Sequence, residues 1–207
     1  TTEEQPGHGK RPKFVDLFCG IGGASQGALD AGYDVCLAVD SCAEALEIHK
    51  KNHTETRHYC LELPSYLPLP LPSAGEHWHL HGSPPCTHLS VANQVRDGVR
   101  REQGIDLVGW FLRFAMDSGA TSWSMEQVPT PIVRAAVDDM LKPSSTYRTR
   151  FDYTIVDMSE LGVPQMRKRL IAGPKAFIAR FKRLSRTRKS VRDAIPEPRG
   201  THVRHEL

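Results

Sequence analysis

The chain has 207 residues, of which 39% are hydrophobic and 25% are charged, a balance typical of a globular domain with a sizeable core. Asp106 and Arg113 interrupt its longest apolar run, so no stretch approaches the roughly 20 residues of a membrane span and we expect no membrane contact. The five cysteines form no CxxC pair and the first residues are polar rather than signal-like, so we expect a reduced, intracellular protein.

The first half of the chain predicts alternating strands and helices. A strand interrupted by one acid, Asp16, leads into a glycine-rich turn and a helix, and a second strand and helix follow. This βαβα order predicts an α/β fold with a doubly wound, mostly parallel sheet. In chain order the predicted elements are strand 14–18, helix 24–33, strand 34–40, helix 42–52, a short strand around 58–63 and strand 77–81.

The second half predicts a polar loop to about Gln103, then a helix at 105–117, a strand at 121–126, a helix at 131–141 and strands at 151–158 and 169–173.

The net charge of +3 conceals a basic C-terminal end, because the stretch from Lys175 to Arg204 has ten lysines or arginines against two acids. Such a segment is either a solvated tail or a contact surface for nucleic-acid phosphates, and the composition of the segment does not favour one interpretation over the other. We therefore expect a flexible N-terminal segment (1–12), a single domain (13–174) and a basic C-terminal segment (175–207).

The glycine-rich turn predicts a ligand site. Gly20, Gly22 and Gly23 let the backbone approach a ligand after the first strand. Asp40 ends the second strand, where an acid can bind ribose hydroxyls, and Glu62 at the end of the third could accept from an adenine amino group. The alternative is three turn glycines and two surface acids. Their order along the chain favours an adenosyl cofactor.

One cysteine stands in a stiff turn. Pro84 and Pro85 fix the backbone immediately before Cys86 in the stretch GSPPCTHLS. A loop with a buried thiol would explain the cysteine, and so would a nucleophile on a rigid turn.

Four segments in chain order resemble motifs of the DNA cytosine-5 methyltransferases: DLFCGIGG, GSPPCTHLS, MEQV and LGVPQMRKRLIAG. The segment SVRDAIP is similar to the one that follows them in the family. Three positions depart from the family pattern, since Thr87 replaces a glutamine, Leu89 a phenylalanine and Gln127 an asparagine.

The resemblance implies a Rossmann-like methyltransferase that uses S-adenosyl-L-methionine. The cofactor-binding residues that it implies are Phe18, Gly20, Ile21, Gly22, Gly23, Asp40, Glu62 and Pro85. A segment resembling the family's mobile loop and the arginine motif imply contacts to DNA, and the candidate residues are Ser90, Arg96, Arg100, Arg101 and Gln165. A solvated loop face is the alternative for the three arginines.

The resemblance also implies the chemistry. Cys86 would add to C6 of a cytosine flipped out of duplex DNA, and C5 would then accept the methyl group. Glu126 would hold the base at N3 and the amino group, while Arg169, with Arg167 behind it, would hydrogen-bond the O2 side and orient the acid. An ordinary ion-pair cluster is the alternative for these three charged residues.

Other functions share part of this pattern. A tRNA cytosine-5 methyltransferase has the same motifs. A catalytically inactive regulatory homologue would keep the fold, but the presence of Cys86, Glu126 and Arg169 argues against an inactive protein. His77, His79 and His81 alternate onto one side of a predicted strand and could bind zinc, but imidazoles satisfied by hydrogen bonds are favoured. The family's target-recognition domain and last helix have no counterpart here, so we expect weak site selectivity or a second subunit.

Overall fold

The computed structural model describes residues 11–65, 68–73, 75–85, 98–184 and 186–194, and only the backbone of 98–105. Seven strands form one sheet: β1 (Lys13–Leu17), β2 (Asp34–Asp40), β3 (Arg57–Cys60), β4 (Trp78–Gly82), β5 (Ser122–Gln127), β6 (Asp152–Asp157) and β7 (Lys168–Gly173). The helices of the described part are α1 (Gly23–Asp30), α2 (Ala43–Asn52), α3 (Gly98–Asp117), α4 (Pro131–Leu141), α5 (Lys175–Phe181) and α6 (Val191–Ala194). A 3₁₀ turn at Met158–Glu160 follows β6.

The strand order is β3-β2-β1-β4-β5-β7-β6. All pairs from β3 to β5 are parallel, whereas β7 is antiparallel to both of its neighbours. The predicted α/β fold with a mostly parallel sheet is therefore confirmed. Parallel strands end at the same edge of a sheet, and an antiparallel strand begins there. The ends of β1 to β5 and the start of β7 consequently meet at one edge, called here the carboxyl edge.

The two faces of the sheet differ in polarity. One face carries apolar residues such as Leu80 and Met125 and packs against Phe111 of α3 and Val133 of α4, all fully buried. The other face carries polar side chains of β1, β4 and β5, and α1 and α5 pack on it. The central strands thus bury polar groups that require hydrogen-bond partners.

A groove of about 1230 Å³ lies over the polar face between α1 and α5. Phe14 and His79 form part of its floor, Ala28 and Phe177 part of its walls, and Arg180 part of its rim. The two helices therefore leave some of the surface of β1 and β4 open between them.

No helix in the described ranges combines the length and apolarity that a bilayer crossing requires.

Most predicted elements agree with the observed ones to within a residue or two, and β2 and α4 agree at both ends. The largest difference is α3, which begins at Gly98 where a loop to about Gln103 was predicted. The residues between them include arginine, glutamate and glutamine, which are good helix formers despite their polarity. The helix α5 was not predicted, and it places Ile178 in a buried cluster with Val156 and Ile171.

Candidate active site

The glycine turn follows β1 at the carboxyl edge. Phe18, Gly20 and Gly22 all have positive φ angles of 58°, 52° and 100°. Asp40, at the end of β2, holds the turn: its Oδ2 accepts from the Gly20 N–H at 2.8 Å, and its Oδ1 accepts from Cys42 N at 2.8 Å. Each carboxylate oxygen has a second lone pair, so these bonds leave Asp40 able to accept from a ribose hydroxyl as well.

The backbone of the glycine turn is open on one side. A Cβ atom built on Gly20 or Gly23 would meet no atom within 4 Å, so the backbone is open to a ligand. Ile21 beside them is 61% exposed, and the Phe18 ring stands edge-on to Trp110 with centroids 6.3 Å apart. Exposed apolar groups beside hydrogen-bonding acids match the chemistry of a nucleoside.

Glu62 was expected at the end of the third strand, but β3 ends at Cys60. Leu61 N still donates to Asp40 O at 2.9 Å, which keeps the following residue beside the end of β2. Glu62 is exposed there. The structure therefore brings Glu62 to the carboxyl edge from a loop rather than from a strand.

Glu126 and two arginines form an ion-pair cluster. Oε1 of Glu126 lies 2.5 Å from Nε of Arg169 and 3.6 Å from a terminal nitrogen, Nη2, of Arg167. The sheet register explains this, because Glu126 pairs with Ile171 and alternate residues of β7 and the chain preceding it share one face. The structure therefore brings the three residues together, an arrangement expected both for base binding and for an ordinary ion-pair cluster.

The contact between Arg169 and Glu126 is electrostatic rather than a well-directed hydrogen bond. The buried Nε of Arg169 has no hydrogen-bond partner of suitable geometry in the described structure, despite its short distance to the carboxylate. Nη1 of the same guanidinium donates to the carbonyl oxygen of Lys168 at 2.8 Å. Arg169 is thus anchored by its own strand, and its charge lies against Glu126.

The turn after β4 is held on two sides. Ser83 N donates to the carbonyl oxygen of Leu17 at 3.2 Å, and Nε2 of Gln127 donates to the carbonyl oxygen of Pro84 at 3.0 Å. Gln127 is 1% exposed, and its Oε1 accepts from Val128 N at 2.7 Å. The residue that departs from the family pattern therefore ties the double-proline turn to the end of β5. Pro85, an expected cofactor contact, is exposed at the end of this turn.

Several predicted site residues lie outside the described residues: Cys86, Ser90 and Arg96. The backbone of Arg100 and Arg101 is helical in α3, but their side chains also lie outside the described part. Gln165 is exposed, and its backbone N–H donates to Val163 O at 2.7 Å. The expected contacts of these residues remain predictions.

Cys19 is the other cysteine of the motifs, and its environment disfavours a thiolate. The side chain is 7% exposed, and burial raises the pKa of the thiol, with Asp16 and Asp40 nearby raising it further. Because the thiolate is the reactive form, Cys19 is a poor nucleophile.

The histidines of β4 form a buried ladder with serines. His79 lies 2.7 Å from Ser122 Oγ and 2.8 Å from Ser124 Oγ, and His81 lies 2.8 Å from Ser124 Oγ and 3.0 Å from Ser83 Oγ. Desolvation lowers the pKa of His79 to about 4 and that of His81 to about 3, so both are neutral at pH 7.

This ladder supports the interpretation of satisfied imidazoles, since every ring nitrogen of His79 and His81 has a serine partner. His77 precedes β4 and is exposed. In the described ranges, no group of three or more histidine, cysteine or acidic side chains is arranged to hold a metal ion. Sequence reasoning missed the serine partners, although their alternation in SWSME matches that of the histidines.

The fold and this edge define the class of protein. A mostly parallel seven-stranded sheet with an antiparallel β7 and a glycine turn after β1 is the arrangement of Rossmann-like, S-adenosylmethionine-dependent methyltransferases. The family model for C-5 cytosine-specific DNA methylases matches residues 12–175. The chain belongs to that family.

Known relatives have similar sequences and folds. The chain is 28% identical to Type II methyltransferase M.HgiDI of Herpetosiphon aurantiacus, over 93% of this chain and 64% of that protein. It is 28% identical to M.AgeI of Thalassovita gelatinovora, over 76% of this chain and 38% of that protein. The chain thus spans between about a third and two thirds of these relatives.

Among solved structures, a DNA modification methyltransferase encoded within an E. coli prophage superimposes with a TM-score of 0.61 at 22% identity, covering 90% of this chain and 56% of that one. Dnmt2 methyltransferase of S. pombe superimposes with a TM-score of 0.52 at 18% identity, covering 80% and 50%. Both similarities support the fold.

Proposed function

We propose that this chain transfers a methyl group from S-adenosylmethionine to C5 of a cytosine flipped out of duplex DNA, through a covalent adduct of Cys86. The observation that carries the proposal is the meeting of three features at the carboxyl edge: the glycine turn, the double-proline turn and the Glu126 cluster. The family description, C-5 cytosine-specific DNA methylase, supports DNA as the substrate.

The proposed reaction begins with the Cys86 thiolate. Its sulfur forms a bond to C6, and the electron pair of the C5–C6 double bond becomes available at C5. C5 would then form a bond to the sulfonium methyl group, and the methyl–sulfur bond would break with its electron pair left on the donor's sulfur. Loss of the C5 proton to a base restores the electron pair, the C5–C6 double bond re-forms and the sulfur–carbon bond breaks. The thiolate of Cys86 is thereby regenerated.

Glu126 would act on the other side of the base. A carboxyl group at N3 can share a proton with the ring as negative charge develops during thiolate attack, and it can accept from the amino group. Arg169, 2.5 Å from the carboxylate, would orient it and present donors toward O2. Arg167, 3.6 Å away and more exposed, would complete this positive surface.

The methyl donor would lie against the glycine turn. S-adenosylmethionine supplies an electrophilic methyl group on a sulfonium. Gly20 and Gly23 leave space for its approach, Asp40 and Glu62 are the candidate acceptors for its ribose and adenine, and Phe18 and Ile21 offer apolar contact.

The test is a trapping experiment with the full 207-residue chain. Duplex DNA of mixed sequence, with 5-fluorocytosine in place of cytosine, is incubated with S-adenosylmethionine. Fluorine at C5 cannot leave as a proton does, so the adduct cannot break down and a protein–DNA complex stable to denaturation accumulates. We expect the wild type to form it and Cys86→Ser to form none.

Cys19→Ser is the matched control, and it should trap DNA as the wild type does, because burial suppresses its thiolate. Trapping by Cys86→Ser would refute the assignment of the nucleophile.

A parallel incubation with radiolabelled S-adenosylmethionine and unmodified DNA or tRNA pools identifies the substrate. Label in tRNA alone would refute DNA as the proposed substrate. Sharp selectivity for one DNA site by this chain alone would contradict the expected need for a second subunit.

A further inference from the structure

A second buried polar network lies beneath the glycine turn, on the same face of the sheet as the histidine–serine ladder. Ser25 Oγ donates to Oδ2 of Asp16 at 2.6 Å, and Nε2 of His49 lies 3.0 Å from the same hydroxyl. Nδ1 of His49 lies 2.8 Å from Nε2 of His58. Asp16, Ser25 and His49 are each at most 1% exposed. The network therefore joins β1, α1, α2 and β3 in an almost dry environment.

When Asp16 is ionised, the donors and acceptors of these side chains fix which group donates in each hydrogen bond. The single hydroxyl hydrogen of Ser25 goes to Asp16, so His49 must donate to Ser25 from a protonated Nε2. The neutral ring then accepts at Nδ1 from His58. Burial lowers the pKa of His49 to about 4, in agreement with a neutral ring at pH 7. Every polar atom of the His49 and Ser25 side chains is then used.

The network packs against the glycine turn at both ends and beneath Gly22. Asp16 lies two residues before Phe18, and Ser25 lies two residues after Gly23, so the hydrogen bonds join the two ends of the turn. The rings of His49 and His53, 4.4 Å apart, support its middle. A Cβ on Gly22 would lie 2.6 Å from Nε2 of His53 and 3.1 Å from Cδ2 of His49, so the backbone rests directly on both rings.

We propose that His49 is a positioning residue of the methyl-donor site: through Ser25 and Asp16, and by its ring against Gly22, it holds the Phe18–Gly23 turn in the shape that receives S-adenosylmethionine. This inference rests on the cofactor assigned above. His49 acts through the turn, on the side away from the open surface of Gly20 and Gly23.

Two serines provide a matched comparison. Ser25→Ala removes the hydroxyl between His49 and Asp16, whereas Ser122→Ala removes one from His79 in the separate ladder. Both changes delete one oxygen that bonds a histidine. Titration calorimetry with S-adenosylmethionine should give a dissociation constant raised about tenfold for Ser25→Ala, the equivalent of one lost hydrogen bond. Ser122→Ala should bind as the wild type does.

A pair of substitutions at His49 keeps the test decisive if Ser25→Ala does not fold. The amide of His49→Gln can still donate to Ser25, and its affinity should stay close to that of the wild type. His49→Phe fills the ring space without hydrogen bonds, and its dissociation constant should rise about tenfold. Thermal melts of every variant establish that binding is measured on folded protein.

The outcomes separate this inference from the proposed function. If the wild type binds S-adenosylmethionine and Ser25→Ala and His49→Phe bind it equally well, only the role of His49 is refuted. Equal weakening by Ser25→Ala and Ser122→Ala would also refute it, since a general structural effect would then explain both. If the wild type binds no S-adenosylmethionine, the cofactor assignment fails and this inference fails with it.

Discussion

At the scale of single residues, the carboxyl edge assigns separate roles to neighbouring side chains of β5. Glu126 faces the arginines of β7 and the chain before it, while Gln127 points to the opposite face and contacts Pro84. This division follows from the alternation of side chains along a strand. One strand end can therefore hold both the acid proposed to bind the base and the glutamine that anchors the double-proline turn.

Glu126→Gln should lower methyl transfer about 10²–10⁴-fold, the usual contribution of a positioned acid or base. The amide has nearly the same shape but cannot share a proton with the cytosine ring. The measurement is the single-turnover rate with labelled S-adenosylmethionine. Glu160→Gln is the matched control, because Glu160 also contacts two arginines, Arg186 and Arg188, and it should retain the wild-type rate. Equal rates for the two variants would argue for a purely structural ion pair at Glu126.

Gln127→Ala should destabilise the fold by about 1–3 kcal/mol, since it leaves the buried carbonyl of Pro84 without its donor. It should also slow methyl transfer while the affinity for S-adenosylmethionine stays unchanged, because the double-proline turn loses its anchor. Urea unfolding, single-turnover rates and calorimetry measure the three quantities. Gln26→Ala removes an exposed glutamine that bonds Asp30 and should alter none of them. A normal rate in folded Gln127→Ala would refute a positioning role.

At the scale of elements, the basic segment has two parts with different environments. Its first helix, α5, packs Ile178 into the core and Phe177 against His79, so deletion of the whole segment would remove structural contacts. Farther along, Arg186 and Arg188 contact Glu160, which neutralises part of the charge. The role of the segment is therefore better tested by substitution than by truncation.

Replacing Lys189 and Arg192 by alanine should flatten the salt dependence of DNA binding. Each phosphate contact on duplex DNA contributes about −0.9 to the slope of log K against log salt, so loss of both should reduce its magnitude by up to about 1.8. Fluorescence anisotropy from 50 to 200 mM salt, about the range over which such contacts are evident, measures the slope. Lys50→Ala with Lys51→Ala on α2 removes the same charge and should leave the slope unchanged. Equal slopes in the wild type and both double variants would show that Lys189 and Arg192 are solvated and do not contact phosphates.

At the scale of the whole molecule, buried neutral histidines on one face of the sheet couple stability to pH. Burial lowers the pKa of His49, His79 and His81 to about 4, 4 and 3. Their contribution to the free energy of unfolding is present above pH 6.5 and is lost as pH falls toward these values. The reason is that these histidines bind protons at higher pH in the unfolded chain than in the folded one. Asp16 has the opposite effect, because burial raises its pKa to about 7. Its contribution to the free energy of unfolding is lost as pH rises from 4 to 7.

The pKa of His58 is lowered by burial as well, so four histidines oppose one aspartate. The free energy of unfolding should therefore fall between pH 6.5 and pH 4, with a net uptake of protons on unfolding. Urea unfolding across this range measures the slope. His79→Asn should reduce the slope by up to about one proton, because one titrating group is removed. His77→Asn, at an exposed position, should leave it unchanged. A flat profile would show that the histidines titrate alike in the folded and unfolded states.

Most of the elements and the family could be predicted from the sequence, although α5 and the first turns of α3 were missed. The apolar periodicity of β1, β2 and α4, and the glycines and prolines between elements, are local signals that tertiary packing did not override. The charged residues Glu126, Arg167 and Arg169 stand in ordered motifs, and they meet in space as the resemblance implied.

Which polar groups share a hydrogen bond could not be predicted from the sequence, because it depends on how the elements pack. Asp16 was visible as an acid in an apolar strand, but its link to His49 through Ser25 depends on how α1 and α2 pack on the sheet. The antiparallel direction of β7, which brings Arg169 to Glu126, is likewise a property of strand pairing. Sequence patterns report which face of an element is buried, whereas the partner of a buried group is set by contacts between residues distant along the chain.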